Sequence, residues 1–248
     1  MELGECRLCR VVGQLHASHI FPKGLYKRFV SDLTRGGAFI SLRNKKETSK
    51  QFVRYWFCTD CEQRLKRGED VFYSFLKDRP ASSHCDPLLC YFAVSISWRC
   101  ALFYFEDSRG EEWVAQAMER WRTFLLDQAH EPEPYSQYLI SIEHLKWHPW
   151  NRGLGGFAMP NLNHVFSMVG PFIILGISRP QEFTAEELKL LEPAKLTTAG
   201  GTGSLDEKFI DSIFAVKRFR TAFDFMMTVS QNQLLEIAER QKKAKRRP

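Results

Sequence analysis

The chain has 248 residues, 44% of them hydrophobic and 26% charged, and carries a formal net charge of +6. Those proportions suit a globular protein that buries a real core. They leave no room for a membrane helix: the apolar run 88–105 contains Arg99, and the run 165–177 is short and broken by Gly170 and Pro171. The opening MELGECRLCR has no apolar core of a secretion signal, so the cytoplasm is the expected compartment. Thiols stay reduced there, and paired cysteines then point to metal rather than to disulfides.

Charge is unevenly spread. Residues 1–79 hold sixteen Lys/Arg against nine Asp/Glu, residues 80–241 hold fourteen against twenty, and the last seven, KKAKRRP, add five positive charges. A basic block favours polyanions, of which nucleic acid is the commonest; the tail reads equally as a solvated, solubilising end.

In chain order, residues 1–79 form a region of short elements with turn chemistry at Gly13, Pro22-Lys23-Gly24 and Gly36-Gly37. It closes on CEQRLKRGEDVFYSFLK, whose Leu65, Phe72 and Phe75/Leu76 recur at helical spacing. DRPASSHCDP at 78–87 marks a boundary, and Asp86-Pro87 reads as the start of a helix. The following LLCYFAVSISWRCALFYF is apolar nearly all round and predicts a central, buried helix; Cys85, Cys90 and Cys100 in or beside it read as core. A second helix over 111–128 places Trp113, Ala117, Trp121 and Phe124 on one face, and EPEP at 131–134 stops it. YLISIEHL, NHVFSMVG and PFIILGIS read as strands, with Gly170-Pro171 at a turn or bulge. Phe209, Ile213, Val216, Phe219, Phe223 and Met226 trace a long amphipathic helix that leads to the basic tail. The expected class is α+β: a zinc-stabilised domain over 1–79, a larger, mostly helical α+β domain with a few strands over 80–241, and a tail over 242–248. AGGTGS at 199–204 lacks the Gly-Lys-Ser/Thr of a phosphate loop and reads as a linker.

Cys6-x-x-Cys9 and Cys58-x-x-Cys61 are two tight pairs of soft ligands, which together complete the closed tetrahedral shell of a structural zinc. A rival set of Cys6, Cys9, His16 and His19 would strand the second pair. A region of ~80 residues buries little on its own, so metal binding supplies folding free energy there. One early pair and a second pair opening a helix give a treble-clef-like layout.

Between the pairs lies LHASHIFP at 15–22. With CRLC at 6–9 and FCTDCEQRL at 57–65, this stretch resembles the HNH (His-Me finger) nucleases, particularly their zinc-containing branch, over about residues 5–77. The resemblance implies a ββα-metal fold and a metal-dependent endonuclease that hydrolyses phosphodiester bonds, in a restriction, mobile-element or phage-defence setting. It makes His19 the general base and calls for Mg²⁺ or Mn²⁺ beside it. Where the family commonly places a metal-binding Asp or His before the base, this chain has Ser18; where it commonly places His or Asn after the last cysteine, this chain has Glu62. Its middle Asn has no counterpart near the second pair, Asn44 being too early. The ion would then rest on Glu62 with Ser18, and Glu69, two turns on, would orient a Lys or Arg. Lys23, Lys27, Arg28, Arg43, Lys45, Lys46, Lys50 and Arg54 are the expected phosphate contacts, with Tyr55 and Trp56 able to stack or to join the core. DNA is favoured over RNA as partner, no membrane is expected, and the second domain would dimerise, select substrate or bind a further protein. Ser18, Glu62 and the missing Asn also fit a zinc-stabilised nucleic-acid-binding module without catalysis. A third reading is a zinc protein acting through protein contacts.

Overall fold

Glu2–Glu5 (β1) and Val12–His19 (β2) pair antiparallel, from Glu5 opposite Val12 to Glu2 opposite Leu15, with the first cysteine pair in the loop between them. The computed structural model describes residues 2–24, 39–41, 46–48, 53–78, 87–107, 112–142, 157–161, 163–169, 172–198 and residues 212, 213, 215–217, 219 and 220. Val53–Phe57 (β5) joins the far end of β2, giving the sheet order β1-β2-β5. Its register slips between His16, opposite Phe57, and Ala17, opposite Tyr55, so Trp56 is the extra residue of a bulge. Through that bulge two consecutive aromatic side chains, Trp56 and Phe57, are both buried. Phe39–Ser41 (β3) and Lys46–Thr48 (β4) form a separate antiparallel pair in the stretch between the cysteines.

Helix Thr59–Asp78 (α1) starts at the second cysteine pair, with Asp60 and Glu62 in its first turn and Lys77 in its last, each favourable to the helix dipole. Leu65, Phe72, Phe75 and Leu76 are buried, as their spacing predicts. Helix Pro87–Asp107 (α2) is the centre of the fold: residues 89–101 are buried without a break, the outcome of a sequence apolar on every side. Phe72 stacks on Phe92 with ring centroids 4.1 Å apart, and Gly68 lies against the α2 backbone. Helix Glu112–Leu125 (α3) buries Val114, Ala117, Trp121 and Phe124. It ends earlier than EPEP would dictate. Asp127 adopts a left-handed φ of 59°, and the Gln128 N–H donates to the Thr123 carbonyl while the Asp127 N–H donates to that of Phe124, a Schellman closure.

The remaining strands, Gln137–Ser141 (β6), Phe157–Asn161 (β7), His164–Val169 (β8), Phe172–Ile177 (β9) and Lys195–Leu196 (β10), form an antiparallel sheet in the order β10-β6-β9-β8-β7. β6, β8 and β9 are the three strands expected; β7 and β10 enlarge the sheet beyond the few strands the sequence suggests. Every residue of β6, β8 and β9 is buried. Helix Ala185–Leu191 (α4) opens with a capping box in which Thr184 and Glu187 bond reciprocally.

The chain divides into two units, Met1–Glu207 and Lys208–Pro248. In the second, the amide N–H groups of Phe219 and Arg220 donate to the Val216 carbonyl, a helical turn within the expected amphipathic segment. The boundary expected between residues 79 and 80, the Gly170-Pro171 step, the AGGTGS segment and the basic tail lie outside the described residues. Among the described residues, no helix is long and apolar enough to cross a membrane.

Candidate metal centre

The β1–β2 loop and the β5–α1 junction bring four cysteines together. The sulfur atoms of Cys6, Cys9, Cys58 and Cys61 all lie within 4.8 Å of one another, and those of Cys9 and Cys58 are 3.8 Å apart. A tetrahedral zinc with bonds of about 2.3 Å spaces its thiolates at about 3.8 Å, so the cluster fits such an ion in donor type, number and size. The backbone builds the cage. The Arg10 N–H donates to the Cys6 carbonyl across 2.7 Å while Arg10 takes a left-handed φ of 63°, closing the first turn. The Glu62 N–H donates to the Cys58 carbonyl across 3.0 Å, closing the second, and the Cys58 N–H reaches the Cys6 sulfur at 3.4 Å. The two halves are tied by the Arg7 N–H, which donates to the Trp56 carbonyl across 2.8 Å.

The sulfurs are electrostatically unequal. A hydrogen bond from Cys61 holds the Cys6 thiol down at about 4 against the opposing effect of burial, helped by backbone N–H groups of Cys9, Cys58 and Leu8. The same bond pushes Cys61 up, and burial raises Cys9. One anion shared among thiols is the expected state of such a cluster alone; a divalent ion would hold all four as thiolates. His16 stands apart from the sulfurs as a ligand: its Nε2 lies 2.8 Å from Thr59 Oγ1.

Ser18 and Glu62, 44 residues apart in sequence, meet directly. Ser18 is 1% exposed and its hydroxyl donates to Glu62 Oε1. Cross-strand pairing of Ala17 with Tyr55, Ser18 with Arg54 and His19 with Val53 sorts the neighbours by face. Ser18 and Arg54 share one face, while Ala17, His19, Val53 and Tyr55 share the other. His19, half-buried, is the last residue of β2 and therefore sits beside, not on, the Ser18–Glu62 face. Glu69 accepts a hydrogen bond from Arg99 across 2.8 Å, which gives it an arginine to orient.

Comparison with protein-family models, with curated proteins and with solved structures finds no match to this chain.

Of the expected phosphate contacts, Lys23 is exposed and Arg54 lays its guanidinium over the Phe103 ring, 5.0 Å from the centroid. Lys46 belongs to β4; Lys27, Arg28, Arg43, Lys45 and Lys50 lie outside the described residues. Trp56 is core, whereas Tyr55 is 45% exposed on the His19 face.

One part of the centre has no counterpart in the sequence reading. Arg122 of α3 donates from Nη1 to the Leu8 carbonyl across 2.9 Å, inside the first cysteine turn. Its Nε and Nη2 grip Glu119 at 3.0 and 2.6 Å, and Arg10 binds the same carboxylate. Glu119 raises the Arg122 pKa and Arg122 lowers that of Glu119, as a close pair must. Helical spacing put residues 119 and 122 on neighbouring positions of α3, but nothing in the sequence pointed them at Leu8.

Proposed function

We propose that this protein is a metal-dependent endonuclease of HNH type, built on a treble-clef-like frame with zinc held by Cys6, Cys9, Cys58 and Cys61. The observation that carries the reading is the contact between Ser18 and Glu62. It sets a carboxylate against the residue that precedes His19, at the junction of β2 and the helix opened by the second cysteine pair. Those are the two positions at which the resemblance calls for ligands of a second ion. Glu62 would hold Mg²⁺ or Mn²⁺, which favours oxygen ligands, and Ser18 would complete the pocket. Such an ion offsets charge developing on phosphate oxygens. His19, on the open face at the end of β2, would take the proton from water. Lys23, four residues on and exposed, would neutralise a nearby phosphate, with DNA the favoured substrate.

A second reading draws on the same contact. The Ser18 hydroxyl already satisfies a Glu62 oxygen, and Ser18 is shut from solvent, which suits a binding module whose ion-binding pair has become a hydrogen bond. Cleavage of plasmid and oligonucleotides with Mg²⁺, Mn²⁺ or chelator separates the two. Metal-dependent cutting lost in His19→Ala and Glu62→Ala, with zinc content unchanged, supports the nuclease. No cutting by the wild type, with salt-sensitive binding retained, supports the binding module; no binding to either DNA or RNA leaves a zinc protein that works through protein contacts.

A further inference from the structure

A zinc ion held by four thiolates carries a net charge of about −2, and the groups around the sulfurs decide how firmly that charge is kept. Backbone N–H groups supply part of the compensation. Arg122 supplies something different. It comes from α3, 114 residues beyond its acceptor, and its side chain is 13% exposed. Its acceptor, the Leu8 carbonyl, belongs to the same peptide unit as the Cys9 N–H. In a trans peptide those two groups point in opposite directions, and the Cys9 N–H is among the backbone groups that favour the Cys6 thiolate. Guanidinium, peptide and thiolate therefore stand in series, and a cation bonded to the Leu8 carbonyl polarises the Cys9 N–H at the other end of the peptide.

The grip of Glu119 gives the series its direction. Two parallel bonds to one carboxylate fix the plane of the guanidinium and leave Nη1 aimed at Leu8. Arg10, the left-handed residue that ends the cysteine turn, binds Glu119 as well, so α3 holds the turn on both sides.

We propose that Arg122 is a positioning residue of the metal centre, retaining zinc by polarising the Leu8–Cys9 peptide toward the Cys6 sulfur. The inference rests on the four cysteines holding zinc. It makes α3 part of the site: a partner or substrate that displaced α3 would loosen the metal.

The test uses the full zinc-loaded chain and measures zinc transfer to an excess of chromophoric chelator. Arg122→Gln is expected to release zinc about 10–100-fold faster than wild type, the usual effect of losing an outer partner of a ligand. Arg122→Lys, which keeps the charge but loses the fork on Glu119, should fall between them. Arg64→Gln is the control, because Arg64 pairs with Asp127 at the end of α3 without touching the cysteine turn; it should release zinc at the wild-type rate. In cobalt-substituted protein, the thiolate-to-metal charge-transfer band should move in Arg122→Gln and stay fixed in Arg64→Gln. Wild-type release in Arg122→Gln, or equal acceleration in Arg64→Gln with an unmoved band, would overturn the proposal. Wild-type protein that binds neither zinc nor cobalt would overturn the metal reading beneath it, a distinct result.

Discussion

Arg99 of α2, 2% exposed, donates from Nη2 to Oε1 of Glu69 on α1 across 2.8 Å, beneath the face that Phe57 lends to the core. A charge this deep is tolerable only while its partner stays. Glu69→Ala should therefore cost about 3–5 kcal/mol in urea unfolding, far more than the loss of a surface ion pair. Replacing both residues by apolar ones of similar volume should recover most of that stability. A Glu69→Ala variant as stable as wild type would show that the arginine finds water or another acceptor.

Gly68 tests how closely α1 and α2 approach. An alanine there gains up to about 1 kcal/mol of helix propensity. Its Cβ, however, would stand 3.0 Å from the Phe92 backbone nitrogen and 3.1 Å from the Phe92 Cα, neither of which can swing aside. Gly68→Ala should lower the thermal midpoint and Gly68→Val should lower it further. A rise on Gly68→Ala would mean that the helices separate at little cost.

Burial pushes the thiols of Cys90 and Cys100 up to about 12 from an ordinary value near 9.0. The neutral thiols are the buried species, so their contribution to stability is complete below pH 9 and is lost as pH rises toward 12. Native, zinc-loaded protein at pH 8 should leave both unreactive toward a thiol reagent, and denatured protein should expose them. Urea midpoints should decline from pH 9 upward, and a Cys90→Ala/Cys100→Ala pair should flatten that decline.

Ser18→Asp places a second carboxylate against Glu62. Two carboxylates pressed together without a cation repel, so the variant should melt below wild type in chelator. Millimolar Mn²⁺ should reverse the loss, since a ligand at 100 times its Kd adds about 2.7 kcal/mol. Ser18→Ala should show no such rescue. Equal Mn²⁺ response in both variants would separate Glu62 from any ion site.

The parts of this fold that were legible in the sequence are those encoded within a short window. Two Cys-x-x-Cys pairs announce their own convergence, because each is half of a tetrahedron. The nearly all-apolar run of α2 and the three- and four-residue steps of α1 and α3 report burial directly. Thr184-Ala-Glu-Glu187 carries a capping-box signal of the same local kind, and α4 begins there. What stayed hidden depends on partners far apart in the chain. Ser18 and Glu62, Glu69 and Arg99, and Arg122 and Leu8 are joined by tertiary packing alone. The order of the five-stranded sheet is equally nonlocal: β10 adds only two residues, too few for any alternation to show.

The bulge at Trp56 has a consequence for where this chain can change its length. The Arg7–Trp56 backbone bond anchors the first cysteine turn to the strand, and Cys58 follows two residues later. One residue inserted between Trp56 and Cys58 would advance the second pair by about 3.3 Å, more than a whole zinc–sulfur bond, and one inserted between Cys58 and Cys61 would break the turn that brings those two sulfurs together. The span from Trp56 to Cys61 thus works as a ruler whose divisions are fixed at one end by a carbonyl and at the other by a sulfur. Related chains that keep the cysteine cluster should show no variation in length across those six positions.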